Sequence, residues 1–276
     1  MVDSQSKIHN PKSTIPTITS RQNPLVKEIQ KIRDDRSSPL IFLEGPRLIQ
    51  EALLSNYVIE VLVISQQFPE TSFLDPIRAR AKQHFKVSDQ VFQAITDVEN
   101  PQGFLAIVRR PAWSWNDLRK RSPAPVLILN DLQDPGNTAS IVRTAEAAGA
   151  GGVITTPKTA HLFSPKAIRG AMGSTFRLPL LEHLTLEEIV KELHAAQYSL
   201  IGTEVRKANQ SAVVYTKINW KKPWAIVLGQ EGQGLSADWE KHLDKRVHIP
   251  MAEPVESLNV ASSAAILLYE SVRQRS

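Results

Sequence analysis

The sequence predicts an α/β protein in two parts: a small N-terminal α/β unit and a larger C-terminal unit built on a mainly parallel sheet. Three observations predict it. From residue 126 onward, short apolar runs alternate with stretches of helical periodicity, the pattern of strands covered on both faces by helices. A shorter set of strand-like and helix-like segments fills residues 15–110. Between them, Arg110-Pro111-Ala112-Trp113-Ser114-Trp115 and Arg121-Ser122-Pro123-Ala124-Pro125 carry closely spaced prolines. Such prolines break helix and sheet alike, so residues 111–124 read as a linker and 125–276 as the second domain.

The elements follow in order. Residues 1–14 are polar, contain proline and read as a loose tail. Asn23 and Pro24 open a helix to about Arg36, with Leu25, Ile29 and Ile32 at helical spacing. Ile41–Leu43 is a short strand. Pro46–Leu54 is a helix with Leu48, Ala52 and Leu53 on one side, and Val58–Ile64 is an apolar run suited to a buried strand. A helix around Pro76–Gln83 and a strand at Phe104–Val108 complete the first unit. In the second, Val126–Asn130 is a strand, followed by a turn and a helix over about Thr138–Ala148, then a strand at Gly152–Thr155. Ser164-Pro165 starts a helix, with Ser as N-cap and Pro at the first helical position. Thr185-Leu186-Glu187-Glu188 fits a capping box for a helix to about Gln197. Strands follow at Ser199–Gly202, Trp224–Leu228 and Val247–Ile249, with a short helix after Ser236. The chain closes on a helix from about Ser257 to Arg273.

Composition narrows the class. The chain has 276 residues, is 42% hydrophobic and 22% charged, and contains no cysteine, which excludes disulfides, thiolate zinc sites and a Cys nucleophile. No apolar run approaches a membrane span, and the N-terminus lacks the apolar core of a secretory signal, so the expectation is a cytoplasmic protein without a membrane partner. Residues 1–122 hold 17 basic and 13 acidic side chains, against 16 and 15 in residues 123–276. The positive excess lies in the N-terminal half, which is where nucleic-acid contact is expected.

Three segments carry candidate chemistry. In the first, Asp134-Pro135-Gly136-Asn137 is turn chemistry at the end of a strand, where open α/β sheets place ligands. In the helix after it, Ile141, Val142, Ala145 and Ala148 are apolar while Arg143 falls off their stripe; it faces either a cleft or solvent. In the second, Gly229-Gln230-Glu231-Gly232-Gln233-Gly234 follows a strand in the order G-x-x-G-x-G. That is not the order of a dinucleotide cradle, which argues against a nicotinamide enzyme. Its glycines admit close approach of a flat ligand, or form a plain loop. In the third, Ile249-Pro250-Met251-Ala252-Glu253-Pro254 leads to Ser257-Leu258-Asn259-Val260 and a helix with Val260, Ala264, Leu267, Leu268 and Val272 on one face. Ser257 is either an N-cap or part of an anion site at the helix start.

Together and in this order the three segments resemble the signature motifs of the SpoU (TrmH-type) branch of the SPOUT RNA methyltransferases, over residues 126–272. Ser164-Pro165-Lys166, Met172-Gly173 and Phe176-Arg177-Leu178-Pro179 are similar to the family as well. Ser20-Arg21-Gln22-Asn23-Pro24-Leu25-Val26-Lys27 and Phe42-Leu43-Glu44-Gly45-Pro46-Arg47-Leu48 resemble its L30e-like substrate-binding domain. The resemblance implies a deep trefoil knot, one of the rare departures from unknotted topology, that forms a pocket for S-adenosylmethionine. It implies methyl transfer to a ribose 2′-hydroxyl of structured RNA, ribosomal RNA before transfer RNA, and a homodimer through the C-terminal domain. By motif position, Gly229, Ile249 and Leu258 would contact the cofactor. Asn137, Arg143, Glu231, Ser257 and Asn259 would surround the reacting ribose, and Arg21, Asn23, Lys27 and Arg47 would meet RNA. No metal site is expected. Thr138-Ala139 and Glu253 depart from the family pattern, the latter adding charge near the substrate. The rival class is a non-catalytic RNA-binding protein, whose sign would be loss of Arg143, Asn259 or the Gly229 loop; all three are present.

Overall fold

A computed structural model describes residues 17–35, 37–204, 212–230 and 234–276. The N-terminal part contains β1 (Thr17–Ile18), α1 (Pro24–Asp34), β2 (Leu40–Glu44), α2 (Pro46–Leu54), β3 (Ile59–Ser65), α3 (Leu74–Ala79), β4 (Ala81–Val87), α4 (Asp89–Ile95) and β5 (Phe104–Arg109). Its strands form a five-stranded sheet in the order β1-β4-β3-β5-β2, parallel through β1, β4 and β3 and antiparallel from β3 to β5 and β2. Strand alternation divides its core. Phe42, Leu105 and Ile107 face α1 and α4, while Ile41, Leu43, Phe104, Ala106 and Val108 face α2 and α3.

The helix expected at Pro76–Gln83 is corrected here: α3 ends at Ala79, and the residues beyond it form β4. This strand lies near the sheet edge, flanked on its outer side only by the two-residue β1. Its polar composition, Ala-Lys-Gln-His-Phe-Lys-Val, suits a half-exposed edge and hides the strand from a hydrophobicity scan. Val91, Phe92 and Ile95 of α4, which the sequence had not marked as a helix, are buried under the same sheet.

The segment between the units holds a short helix, α5 (Trp115–Arg119), closed by a capping box between Ser114 and Asp117. The second part follows with β6 (Val126–Leu129), α6 (Pro135–Ala147), β7 (Gly152–Thr155), α7 (Pro165–Ala171), β8 (Leu180–Leu181), α8 (Leu186–Ala195), β9 (Ser199–Thr203), β10 (Val213–Val214), β11 (Trp224–Leu228), α9 (Ala237–Glu240), β12 (Lys245–His248) and α10 (Val260–Arg275). Its seven strands run β10-β12-β9-β11-β6-β7-β8, and every pairing is parallel. Strands β6, β7 and β11 are buried along their whole length, as a sheet covered on both faces requires.

Two helix starts differ from expectation. Helix α6 begins at Pro135, because Asp134 is its N-cap and accepts from Asn137 N at 2.8 Å. Asp-Pro-Gly-Asn is therefore the first helical turn, and Gly136 is not among the positive-φ glycines. Helix α10 begins at Val260 rather than near Ser257, because Asn259 Oδ1 caps Ala261 N at 2.9 Å and Ser262 N at 3.4 Å. Its apolar face, Val260, Ala264, Leu267 and Leu268, packs inside the chain against α6 residues such as Ile141 and Val142.

The two parts share a core. Ile168 of α7 and Phe176 are buried with the α2 face of the N-terminal sheet. The Tyr57 ring meets Phe176 at 5.2 Å, and its hydroxyl donates to Phe176 O at 3.3 Å. Arg177 clasps Glu51 of α2 and Glu146 of α6, each at 2.6 Å, and Arg169 pairs with Asp97 at 2.7 Å. Gly173, at φ +88°, lies where any Cβ would meet the Glu51 side chain at 2.7 Å.

Candidate active site

The C-terminal ends of β9, β11 and β12 open into one pocket, the position in which parallel sheets hold ligands. Its empty volume, mouth included, is about 690 Å³. Thr203 and Glu204 reach it from β9, Leu228-Gly229-Gln230 from β11, and Val247 and Ile249 from β12. Met251, Ser257 and Leu258 close it from the loop before α10, and Val260, Ser263 and Leu267 from α10 itself. Segments two and three, separate in sequence, thus line one cavity, and the three residues expected to touch a cofactor, Gly229, Ile249 and Leu258, are all in its wall.

Gly229 is required there for a steric reason. After β11 the chain turns back, Gln230 and Gly234 form an antiparallel bridge, and Gly234 N donates to Gln230 O at 3.2 Å. A Cβ at Gly229 would stand 2.6 Å from Gly234 O and 2.9 Å from Leu235 Cδ2. The glycine therefore serves the loop's own closure and leaves bare backbone at the pocket wall. Glu231 lies outside the described residues.

Segment one joins through Asn259, whose Nδ2 donates to Asn137 Oδ1 at 2.9 Å. This bond ties the cap of α10 to the first turn of α6, across 122 positions of sequence. Arg143, further along α6, is exposed and has no ion-pair or hydrogen-bond partner among the described residues, so its guanidinium is available to a bound anion. Ser257 is exposed and lines the pocket; it is not a helix cap. Asn130, at the end of β6, accepts from Trp239 Nε1 at 2.9 Å and thereby anchors α9, a structural role.

The N-terminal candidates do not form one patch. Asn23 is the N-cap of α1, its Oδ1 accepting from Leu25 N at 2.9 Å. Arg21 is exposed and donates to Gln90 O at 3.3 Å. Lys27 and Arg47 are exposed, but α1 and α2 pack on opposite faces of the sheet.

Sequence reasoning missed Glu204. Its Oε2 is buried without a hydrogen-bond partner in a wall of the pocket. Burial pushes its carboxyl above the usual carboxylate range; nearby Arg246 opposes this and Glu240 adds to it. A buried carboxyl oxygen left unsatisfied costs free energy unless a ligand meets it. No motif marks Glu204, since only the fold places it beside Gly229.

Comparison with known proteins bears on this geometry. Residues 124–269 match the SpoU rRNA Methylase family, and residues 23–106 match the MRM3-like substrate binding domain. The 23S rRNA (guanosine(2553)-2′-O)-methyltransferase RlmP of Bacillus subtilis is 33% identical over 91% of this chain and 97% of its own length. The chain belongs to the SpoU rRNA methylase family. Among solved structures of this family's fold, the AdoMet-bound rRNA methyltransferase of Sinorhizobium meliloti superposes with a TM-score of 0.81 at 29% identity, covering 94% of this chain and 97% of the other. The AdoMet complex of the SpoU methyltransferase AviRb of Streptomyces viridochromogenes gives 0.84 at 25% identity, covering 92% and 98%. The SpoU match begins just ahead of β6 and takes in all three segments.

Proposed function

We propose that this SpoU-family chain transfers a methyl group from S-adenosylmethionine to a ribose 2′-hydroxyl of structured RNA, ribosomal RNA in the first place and transfer RNA in the second. The observation that carries this is the pocket at the ends of β9, β11 and β12, built from the segments that resemble the family's cofactor motifs. Its residues fit the cofactor. Gly229 leaves bare backbone at the wall, Leu228, Val247, Ile249 and Leu258 supply an apolar lining, and the unpaired Glu204 Oε2 awaits a donor. Bound there, the cofactor supplies a methyl group already activated on a sulfonium, so alignment carries much of the rate. Arg143 would hold a substrate phosphate or stabilise the developing 2′-alkoxide. Asn259, itself positioned by Asn137, and Ser257 would orient the ribose and its phosphate. Within this proposal the C-terminal segment threads the family's trefoil knot, residues 15–110 form the RNA-binding domain, 111–124 the linker and 125–276 the catalytic domain, and the protein is cytoplasmic. No helix among the described residues is long and apolar enough to cross a membrane.

The direct test supplies methyl-labelled S-adenosylmethionine and ribosomal RNA to the purified chain. Label should appear in alkali-resistant dinucleotides, the mark of a blocked 2′-hydroxyl; label confined to bases would refute ribose transfer. Glu204 adds a pH test. Its pKa is raised in the free protein, so its charge is incomplete at mildly acid pH. A cationic ligand favours the ionised form, and affinity should therefore rise with pH through the range in which the free carboxyl ionises, which lies above the usual carboxylate range. Calorimetry on Glu204→Gln should show that slope abolished; an unchanged slope would remove Glu204 from the cofactor's contacts.

The N-terminal domain is the proposed RNA platform. Deleting it would expose Ile168 and Phe176, so point variants are the cleaner probe. Lys27→Glu and Arg47→Glu should each weaken RNA binding with little change in fold and lower the salt slope of log K by roughly one. A salt slope equal to the parent's in either variant would exclude that position.

We also propose a homodimer through the C-terminal domain. The face of α10 named from sequence is spent inside the chain, and the face left outward carries Ser262, Ile266 and Tyr269, with Val255 and Leu258 exposed in the preceding loop. Such a partly apolar exposed patch suits a two-fold contact. Sedimentation equilibrium at micromolar protein should give twice 30.7 kDa, and Tyr269→Glu should shift it toward the monomer. A monomer mass in an active preparation would refute the dimer.

A further inference from the structure

The opposite edge of the large sheet carries a second cluster that methyl transfer does not use. His161 stands in the loop after β7, and Glu182-His183 directly follow β8, the edge strand farthest from the cofactor pocket. His183 Nε2 and His161 Nδ1 lie 3.0 Å apart, and each lies 3.9 Å from the same oxygen, Glu182 Oε1. The point equidistant from three atoms at these separations is about 2.1 Å from each, the length of a Zn–N or Zn–O bond.

The surroundings orient these groups. The Glu182 side chain is 2% exposed; Arg110 holds its Oε2, and Leu162 N donates to its Oε1 at 2.7 Å. Arg110 is itself seated over the Phe163 ring at 4.5 Å. His183 is fixed at φ +60°, its backbone N–H donating to Thr155 Oγ1 at 3.1 Å. Partners of this kind hold a carboxylate in place beside a metal, and the backbone bond fixes where the His183 side chain departs. The two rings are 22% and 29% exposed, so a fourth position is open to water. His161 also lines the groove shared with Arg33 and Asp97 of the N-terminal domain.

We propose that His161, Glu182 and His183 bind one divalent ion of the zinc class and so pin the ends of β7 and β8 where the N-terminal domain docks. Two imidazoles and a carboxylate select zinc, cobalt or nickel over magnesium or calcium. The facing nitrogens are hydrogen-bonded to each other when one of them carries its ring's proton. A neutral imidazole can carry its proton on either nitrogen, so a change of tautomer lets both facing nitrogens offer lone pairs, and no redox partner is needed. The Arg110 charge opposes the ion and weakens the expected affinity.

The test uses the full-length protein, stripped with a chelator and exchanged into clean buffer, then titrated with cobalt(II). One equivalent should bind with the visible absorption of a low-coordinate cobalt centre, zinc(II) should displace it, and magnesium should not. His161→Asn and His183→Asn should each weaken binding at least tenfold and bleach the band. Asn tolerates the left-handed backbone at position 183, and unchanged cofactor affinity in both variants shows that the fold is intact. Absence of binding by calorimetry and absorption, or binding equally tight in both variants, would overturn the proposal and leave a plain imidazole pair beside an Arg–Glu bridge.

Discussion

Arg143→Ala is expected to abolish methyl transfer while leaving fold and cofactor binding in place. Arg143 is exposed on α6, outside the stripe formed by Ile141, Val142 and Ala145, so removing it opens no cavity. It has no ion-pair partner among the described residues, so no opposite charge is stranded. Stability should therefore stay within about 0.5 kcal/mol of the parent, as for surface substitutions generally. The chemical step, by contrast, would lose the charge proposed to face a phosphate or a developing alkoxide, and loss of one such donor costs about 10²–10³-fold in kcat. Arg143→Lys keeps the charge but not the forked geometry and should recover only part of the rate. Single-turnover kinetics with calorimetry separate the effects: near-normal turnover in Arg143→Ala would remove Arg143 from the mechanism.

Gly229→Val should produce the opposite split, with cofactor binding lost first. Its Cβ would stand 2.6 Å from Gly234 O, a backbone atom that cannot step aside as a side chain can. The Gln230–Gly234 bridge must open, and with it the pocket wall at the end of β11. Affinity for S-adenosylmethionine should fall by about 100-fold or more, ~2.7 kcal/mol. The sheet residues Ala225–Leu228 lie upstream and stay paired with β6 and β9, so unfolding should remain cooperative at a somewhat lower Tm. Gly229→Ala carries the same Cβ and should share most of the loss. Unchanged affinity in either variant would show that the cofactor lies elsewhere.

The sequence was most legible where local chemistry and tertiary need coincide. Pro46–Leu54, the Ser164-Pro165 helix start and the Thr185–Glu188 capping box stand as expected, because caps and prolines act over a few residues. Strand β4 was hidden by its polar edge composition, and β8 and β10 span two residues each, too short for any periodicity to register. Asp-Pro-Gly-Asn misled because the residues that favour a turn also favour a capped helix start, and only the Asp134–Asn137 bond separates the two. The apolar face of α10 showed that the helix packs against something, but not that this something is α6.

Site residues show the same division. Gly229, Ile249 and Leu258 were marked by motif and share a cavity wall. Glu204, the Asn137–Asn259 bond and the His161–His183 pair depend on contacts between distant segments, which no local pattern records. Asn23, marked for RNA by resemblance and as a helix opener by its place ahead of Pro24, caps α1.

The central claim, ribose methylation of RNA by this chain, is tested most directly by mapping 2′-O-methyl groups across total RNA from cells with and without the gene. One nucleotide, or a small cluster, in ribosomal RNA should lose its 2′-O-methyl group without the gene and regain it on complementation with the parent but not with Arg143→Ala. A 2′-O-methylation map identical in both strains, under conditions where the protein is expressed, would contradict the assignment.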